Sequence, residues 1–118
     1  MTSDVTAAAI GSGDLPVFST PMMIALMEQA ACKAIDPYLV AEGHTSVGTH
    51  VDVRHLAATP EGATVEATAE VTDVQGRAVT FRVVAHQVIA DERVEIGHGI
   101  HTRAIVDRTR FLDAVRRP

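Results

Sequence analysis

The sequence predicts an α+β domain in which one antiparallel sheet wraps around one central helix. Two observations carry this. Residues 22–32 read M-M-I-A-L-M-E-Q-A-A-C, apolar on nearly every side, as a buried helix should be. Beyond Gly48 the hydrophobic period drops to two and stays there through four segments separated by short turns. A sheet with a single apolar face has to cover that face. Wrapping it around the apolar helix is the economical way, with Met23, Leu26, Met27, Ala30 and Ala34 set against the strand valines.

Taken in order, residues 2–10 read as a short first strand, and Gly11-Ser12-Gly13-Asp14 as a flexible connector. Thr20 fits a helix N-cap and Pro21 the first helical turn, where a missing N–H costs nothing. The helix is expected to run to about Ile35, because the residue before Pro37 is pushed out of helical geometry. On the first long strand Thr49, Val51, Val53, His55 and Ala57 share one side, with His50, Asp52, Arg54 and Leu56 on the other. Pro60-Glu61-Gly62 is a turn. Val65, Ala67, Ala69 and Val71 then share a face, and after Gln75-Gly76-Arg77 so do Val79, Phe81, Val83 and Ala85. On the last strand Ile96, His98, Ile100, Thr102, Ala104 and Val106 alternate with Glu95, Gly97, Gly99, His101, Arg103 and Ile105. Four strands joined by short turns imply an antiparallel meander. With no internal repeat and no boundary signal, residues 1–118 read as a single domain.

Composition narrows the functional classes. The chain has 118 residues, net charge −5, no Trp and one Tyr, which argues against a nucleic-acid binder with its basic face and stacking aromatics. Half of the basic residues lie between Arg103 and Arg117, and they read as a solvated terminal segment. The single cysteine, Cys32, excludes an intrachain disulfide and reads as buried packing. No signal segment and no membrane-length apolar run is evident, so a cytoplasmic protein is expected, without membrane contact.

Three residues draw attention. Glu28 is a lone carboxylate on the apolar helix, with Ile24, Ala31 and Ile35 as its neighbours at helical spacing; a buried charge is paired, neutralised or functional. His55 lies on the apolar side of its strand, where it is either a satisfied core residue or a catalyst facing the helix. Thr20 is either a plain cap or a hydroxyl beside the positive end of the helix, where an oxyanion is stabilised. No metal site is expected. His98 and His101 are three apart on a strand and project to opposite faces, as do His50 and His55. Ser46, in G-H-T-S-V-G, lacks nucleophile-elbow spacing. Gly97 and Gly99 mark a bulge or a close backbone approach.

Three segments resemble the fluoroacetyl-CoA-type thioesterases, a hot-dog fold family. V-F-S-T-P-M-M-I-A-L-M-E-Q-A-A-C-K-A-I-D-P-Y-L at 17–39 resembles that family's helix. S-V-G-T-H-V-D-V-R-H-L-A-A-T-P-E-G at 46–62 resembles its second strand and turn, and G-H-G-I-H-T-R-A-I-V at 97–106 its last strand. The resemblance implies hydrolysis of an acyl-CoA, with Thr20, Glu28 and His55 as the catalytic set. Gly48 would approach the acyl thioester through its backbone, and Arg103 would contact substrate. By the alternation above Arg103 lies opposite the core, so it would reach the ligand at an edge or across a dimer. The resemblance also implies a homodimer, and no cofactor beyond the CoA of the substrate. Family members selective for fluoroacetyl groups carry aromatics ahead of the threonine; here G-S-G-D-L-P-V-F supplies Phe18 alone, so a short unfluorinated acyl group fits at least as well. Two other classes stay open. A hot-dog hydratase or dehydratase would pair an Asp with a His, for which Asp36 and His44 lack the arrangement; a non-catalytic acyl-CoA or small-ligand binder would keep the pocket without the chemistry.

Overall fold

A computed structural model describes residues 1–117. A 3-10 turn at Ser3–Val5 leads into helix α1 (Ala7–Ile10), followed by the long helix α2 (Thr20–Ala34) and a 3-10 turn at Asp36–Tyr38. Four strands come next, β1 (His44–His55), β2 (Thr64–Gln75), β3 (Ala78–Ile89) and β4 (Glu92–Asp107), and helix α3 (Arg108–Arg116) ends the chain.

The expected first strand is a helix instead. Thr6 caps α1 by accepting from the Ala9 amide at 3.2 Å, and Gly11 closes it in the left-handed region at φ +80°. An alanine run between a threonine cap and a terminal glycine is a helix signal that outweighs the apolar run. Helix α2 ends as expected ahead of Asp36-Pro37, but it begins one residue differently. Ser19, fully buried and extended, is its N-cap and accepts from the Met22 amide at 3.4 Å. Thr20 is therefore the first helical residue, and its hydroxyl is not spent on capping.

The strands form one antiparallel sheet in the order β1-β4-β3-β2. β2, β3 and β4 are the expected meander, but β1 pairs with β4 rather than with β2. The chain between β1 and β2 is held off the sheet edge by other partners. Leu56 donates to the Ile96 carbonyl at 2.7 Å, the Phe18 amide bonds the Thr59 carbonyl at 2.9 Å, and Val17 bridges to Pro60. Residues 56–63 thus cross the sheet to its far edge instead of turning back as a hairpin.

Helix α2 lies against the sheet with Met23, Met27 and Ala31 buried in one i, i+4 stripe that Ile35 continues. Opposite them Val79, Phe81, Val83 and Ala85 of β3 are fully buried. Leu26 and Ala34 pack on the edge of this core. The helix is not enclosed on all sides, and Cys32, expected inside, is exposed.

One irregularity in β4 decides which residues reach the helix. The β3–β4 register shifts at Ala85/His86, with Ile96 as the extra residue. Ile96 is buried, but after the bulge the inward face is Gly97, Gly99, His101 and Arg103, the partners of Ala85, Val83, Phe81 and Val79. Strict alternation had placed Arg103 outside; it is 6% exposed, while Ile100 is half exposed. His98 points outward and pairs with Glu95 at 2.8 Å. The glycines in this run mark close approach. A Cβ on Gly97 would stand 2.6 Å from both the Met23 sulfur and the Arg54 carbonyl oxygen.

Candidate active site

The N-terminus of α2 and the end of β1 meet. Thr20 Oγ1 lies 2.8 Å from His55 Nδ1. The hydroxyl is available because Ser19 took the cap, and His55 faces the helix because β1 keeps Val51, Val53 and His55 on its inner side. Burial pushes the imidazole below the usual histidine value, with the Ala57 backbone pulling the other way. Neutral imidazole is favoured, and with its single ring proton on Nε2 the ring accepts the threonine proton at Nδ1. His55 Nε2 is buried, and no described group meets it at hydrogen-bond geometry. The Phe18 ring stands edge-on to the imidazole, centroids 6.3 Å apart. Thr20, His55 and Phe18 line a cleft of about 290 Å³ whose remaining walls are Ala7, Ser12, Val17, Leu56, Ala57 and Ala58.

A second cluster forms around Glu28. Its Oε2 is 3.5 Å from Arg103 NH1, and its side chain is 42% exposed. Arg103 is anchored by Ser46, through Nε to Oγ at 2.9 Å and NH2 to the backbone carbonyl at 3.2 Å. Arg103 NH1 also lies 3.2 Å from His101 Nε2, and His101 Nδ1 lies 2.8 Å from the His50 carbonyl. A carbonyl only accepts, so His101 donates from Nδ1 and presents a bare Nε2 to the arginine. Gly48 faces Arg103 across the β1–β4 pair. The register shift just after it, at Thr49, keeps both Gly48 and Val51 inward. A Cβ there would come 3.1 Å from Glu28 Oε2, so the glycine leaves this carboxylate its room.

Within one chain the expected residues therefore form two groups, Thr20 with His55 and Glu28 with Gly48 and Arg103. Glu28 follows Thr20 by eight residues on the same helix, a rise of about 12 Å. The lone carboxylate, expected to be buried, is half-exposed instead, and its partner is an arginine rather than His55. His101 and Ser46 escaped the reading of the sequence. The parity of β4 hid the first, and Ser46 had been weighed as a nucleophile rather than as an acceptor for a buried guanidinium. Asp36 and His44 belong to the opposite end of α2 from the cleft. Among the described residues no three His, Cys, Asp or Glu side chains converge as a metal ion requires.

Comparison with known proteins identifies the family. The family described as fluoroacetyl-CoA-specific thioesterase matches over residues 1–109. The fluoroacetyl-CoA thioesterase of Streptantibioticus cattleyicolor is 45% identical over 100 residues, which cover 85% of this chain and 68% of that protein. A point mutant of the fluoroacetyl-CoA-specific thioesterase FlK, crystallised with fluoroacetate and CoA, superposes with a TM-score of 0.85 at 37% identity, covering 98% of this chain and 91% of the other. A thioesterase superfamily member from Thermus thermophilus gives 0.87 at 30% identity over 99% of this chain and 83% of its own. The architecture is the hot-dog fold, and the chain belongs to the fluoroacetyl-CoA-specific thioesterase family.

Proposed function

We propose that this protein is an acyl-CoA thioesterase that hydrolyses a short-chain acyl-CoA to the free acid and CoA through Thr20, His55 and Glu28. The observation that carries the reading is the 2.8 Å contact between Thr20 Oγ1 and His55 Nδ1 at the mouth of a cleft. Thr20 stands at the start of α2, where the helix dipole favours developing negative charge. His55, kept neutral by burial, draws the hydroxyl proton as the oxygen bonds to the thioester carbon. The C–S bond then breaks, and the departing thiolate takes the proton back from the imidazole. Glu28 then takes a proton from a water as the water oxygen bonds to the acyl carbon of the threonine ester. The bond from that carbon to Thr20 Oγ1 breaks, and the threonine oxygen regains a proton, which frees the acid. The cleft walls are mostly small residues, with Phe18 and Leu56 as the large apolar ones, which suits a short acyl group, fluorinated or not. No cofactor is needed beyond the CoA of the substrate. A cytoplasmic location agrees with a free, exposed Cys32.

Because Glu28 lies about 12 Å along the helix from Thr20, we place the working site in a homodimer, with Glu28 of one protomer serving Thr20 and His55 of the other. The half-exposed Glu28 and the unpaired β1 edge, with Val51 40% exposed, leave that side of the chain open to a second copy. The test is complementation. Thr20→Val and Glu28→Gln proteins are each assayed for thiol release from acetyl-, fluoroacetyl- and malonyl-CoA, then mixed and allowed to exchange subunits. Two impaired proteins whose equimolar mixture regains roughly a quarter of wild-type activity after exchange, one intact site in each mixed dimer, support the shared site. Unchanged turnover in Glu28→Gln refutes the role of the carboxylate. Impaired parents that recover nothing after verified exchange refute the sharing.

A further inference from the structure

We propose that His101 is a positioning residue that holds Arg103 back from Glu28 and so keeps the carboxylate available for chemistry; this rests on the role given to Glu28 above. Arg103 is buried, and a buried guanidinium needs an acceptor for each donor it turns inward. Ser46 fixes its Nε and NH2. NH1, with two N–H donors, is the remaining branch, and its bond to His101 Nε2 at 3.2 Å leaves it 3.5 Å from Glu28 Oε2. A free arginine–carboxylate pair closes to about 2.8 Å and often becomes bidentate, which occupies the lone pairs a general base uses. At 3.5 Å the arginine orients Glu28 electrostatically without consuming them.

The imidazole can hold the branch because it is itself held. It is 1% exposed, its Nδ1–H is tied to the His50 carbonyl at 2.8 Å, and its ring stacks on Phe81 with planes 27° apart. The first contact fixes the tautomer, so Nε2 can only accept. The β4 bulge at Ile96 brings this about, since it turns the face shared by His101 and Arg103, two residues apart, toward the helix. His101 touches none of the atoms expected to react.

The experiment compares His101→Phe, which keeps the stacking ring and removes the acceptor, with His101→Gln, whose amide oxygen reaches the Nε2 position. Steady-state thiol release is measured for each in the wild-type and Glu28→Gln backgrounds. The expected result is a kcat at least tenfold lower for His101→Phe with KM within about twofold, and recovery of most of that loss in His101→Gln. In the Glu28→Gln background His101→Phe should change kcat by less than twofold. Equal losses in both backgrounds, or a loss expressed in KM, overturn the proposal while the reading of Glu28 stands. Unchanged kcat in Glu28→Gln alone overturns both. Should His101→Phe fail to fold, His101→Met against His101→Gln makes the same comparison, and equal activity of the two overturns the proposal.

Discussion

Gly48→Ala separates the site from the fold. The backbone at Gly48 is not in the left-handed region, so alanine meets no conformational strain there. Its Cβ would sit 3.1 Å from Glu28 Oε2, 3.2 Å from His101 Cε1 and 3.4 Å from Arg103 NH1. The first two are tighter than a relaxed van der Waals contact and the third is at its edge, so something gives by a few tenths of an ångström. His101 and Arg103 are buried and anchored, by the His50 carbonyl and by Ser46 respectively. Glu28 is 42% exposed and has the one ion pair at 3.5 Å, so Glu28 is the group that moves. Stability then changes little. Replacing glycine in a strand contributes about 0.5–1 kcal/mol, and relaxed overpacking costs about as much, near the low end of its 1–3 kcal/mol range. Activity does not escape so easily, because a 1 Å misplacement of a catalytic group costs about 100-fold. The expected kcat is therefore roughly 10- to 100-fold lower, with a melting temperature within about 4 °C of wild type, about the shift that 1 kcal/mol produces. Thiol release over several short acyl-CoAs and a thermal melt read the two quantities. Wild-type kcat with an unchanged melt refutes the claim that Gly48 makes room for a working Glu28. A melting temperature more than 10 °C lower refutes the claim that the half-exposed side chain absorbs the clash.

Thr20→Val keeps the shape of the side chain and removes a hydroxyl whose contact with His55 is solvent-exposed; stability should fall by no more than about 1 kcal/mol, and kcat/KM by about 100-fold or more, whereas a loss under threefold in the thiol-release assay excludes Thr20 as the reacting hydroxyl. Burial lowers the His55 value below the ordinary 6.5, so the folded protein resists protonating it. As pH falls through the unfolded value near 6.5 the unfolded state takes up the proton first, so this group's contribution to stability, complete above that pH, declines toward the folded value. The acid limb of kcat/KM against pH should bend below 6.5, and an inflection above it contradicts the half-buried neutral base. Gly99→Ala has no flexible neighbour to yield: its Cβ would fall 2.1 Å from the Asp52 carbonyl oxygen and 2.6 Å from Val53 Cα, both backbone. Urea unfolding should show a loss at or above about 3 kcal/mol, the upper end for overpacking, and a loss under 1 kcal/mol would mean that β1 and β4 separate more freely than their pairing suggests.

Much of this site was legible in the sequence because its signals are local. Ser19-Thr20-Pro21 before an apolar run announces a helix start, and the alternation around Val51, Val53 and His55 settles which way His55 faces. The failures share a cause, in that each turned on a choice the neighbouring structure makes. Ser19 and Thr20 are both good caps, and the buried position of Ser19 decided between them. Ile96 is apolar whichever way its strand is phased, so nothing in β4 alone reveals the bulge that turns Arg103 inward. The pairing of β1 with β4 rather than β2 is a non-local outcome, fixed by Phe18 and Val17 binding the chain at Thr59 and Pro60.

The same bulge explains why an arginine, rather than a second histidine or a hydrophobe, partners the lone carboxylate of α2. With strict alternation the inner face of β4 would present His98, Ile100 and Thr102 to the helix. His98 would then be the first ionisable group near α2, and Glu28 would face Thr102 or Ala104 with no cation in reach. Bulging at Ile96 exchanges these for Gly97, Gly99, His101 and Arg103. The two glycines let β4 lie close to Met23 and to the backbone of β1, which is where the room for a large residue runs out. Farther along, Phe81 and Val79 of β3 stand beside His101 and Arg103, and there the long side chain extends to Glu28 with Ser46 of β1 and His101 as acceptors on its way. One bulge thus sets both the packing distance at the start of α2 and the electrostatics two turns later. Because the bulge already sets Gly97 opposite Ala85 and Arg103 opposite Val79, deleting Ile96 should leave Arg103 facing inward and kcat within about tenfold of wild type in a variant that folds, whereas a folded deletion variant that has lost activity would show that the bulge itself, and not only the register beyond it, is needed.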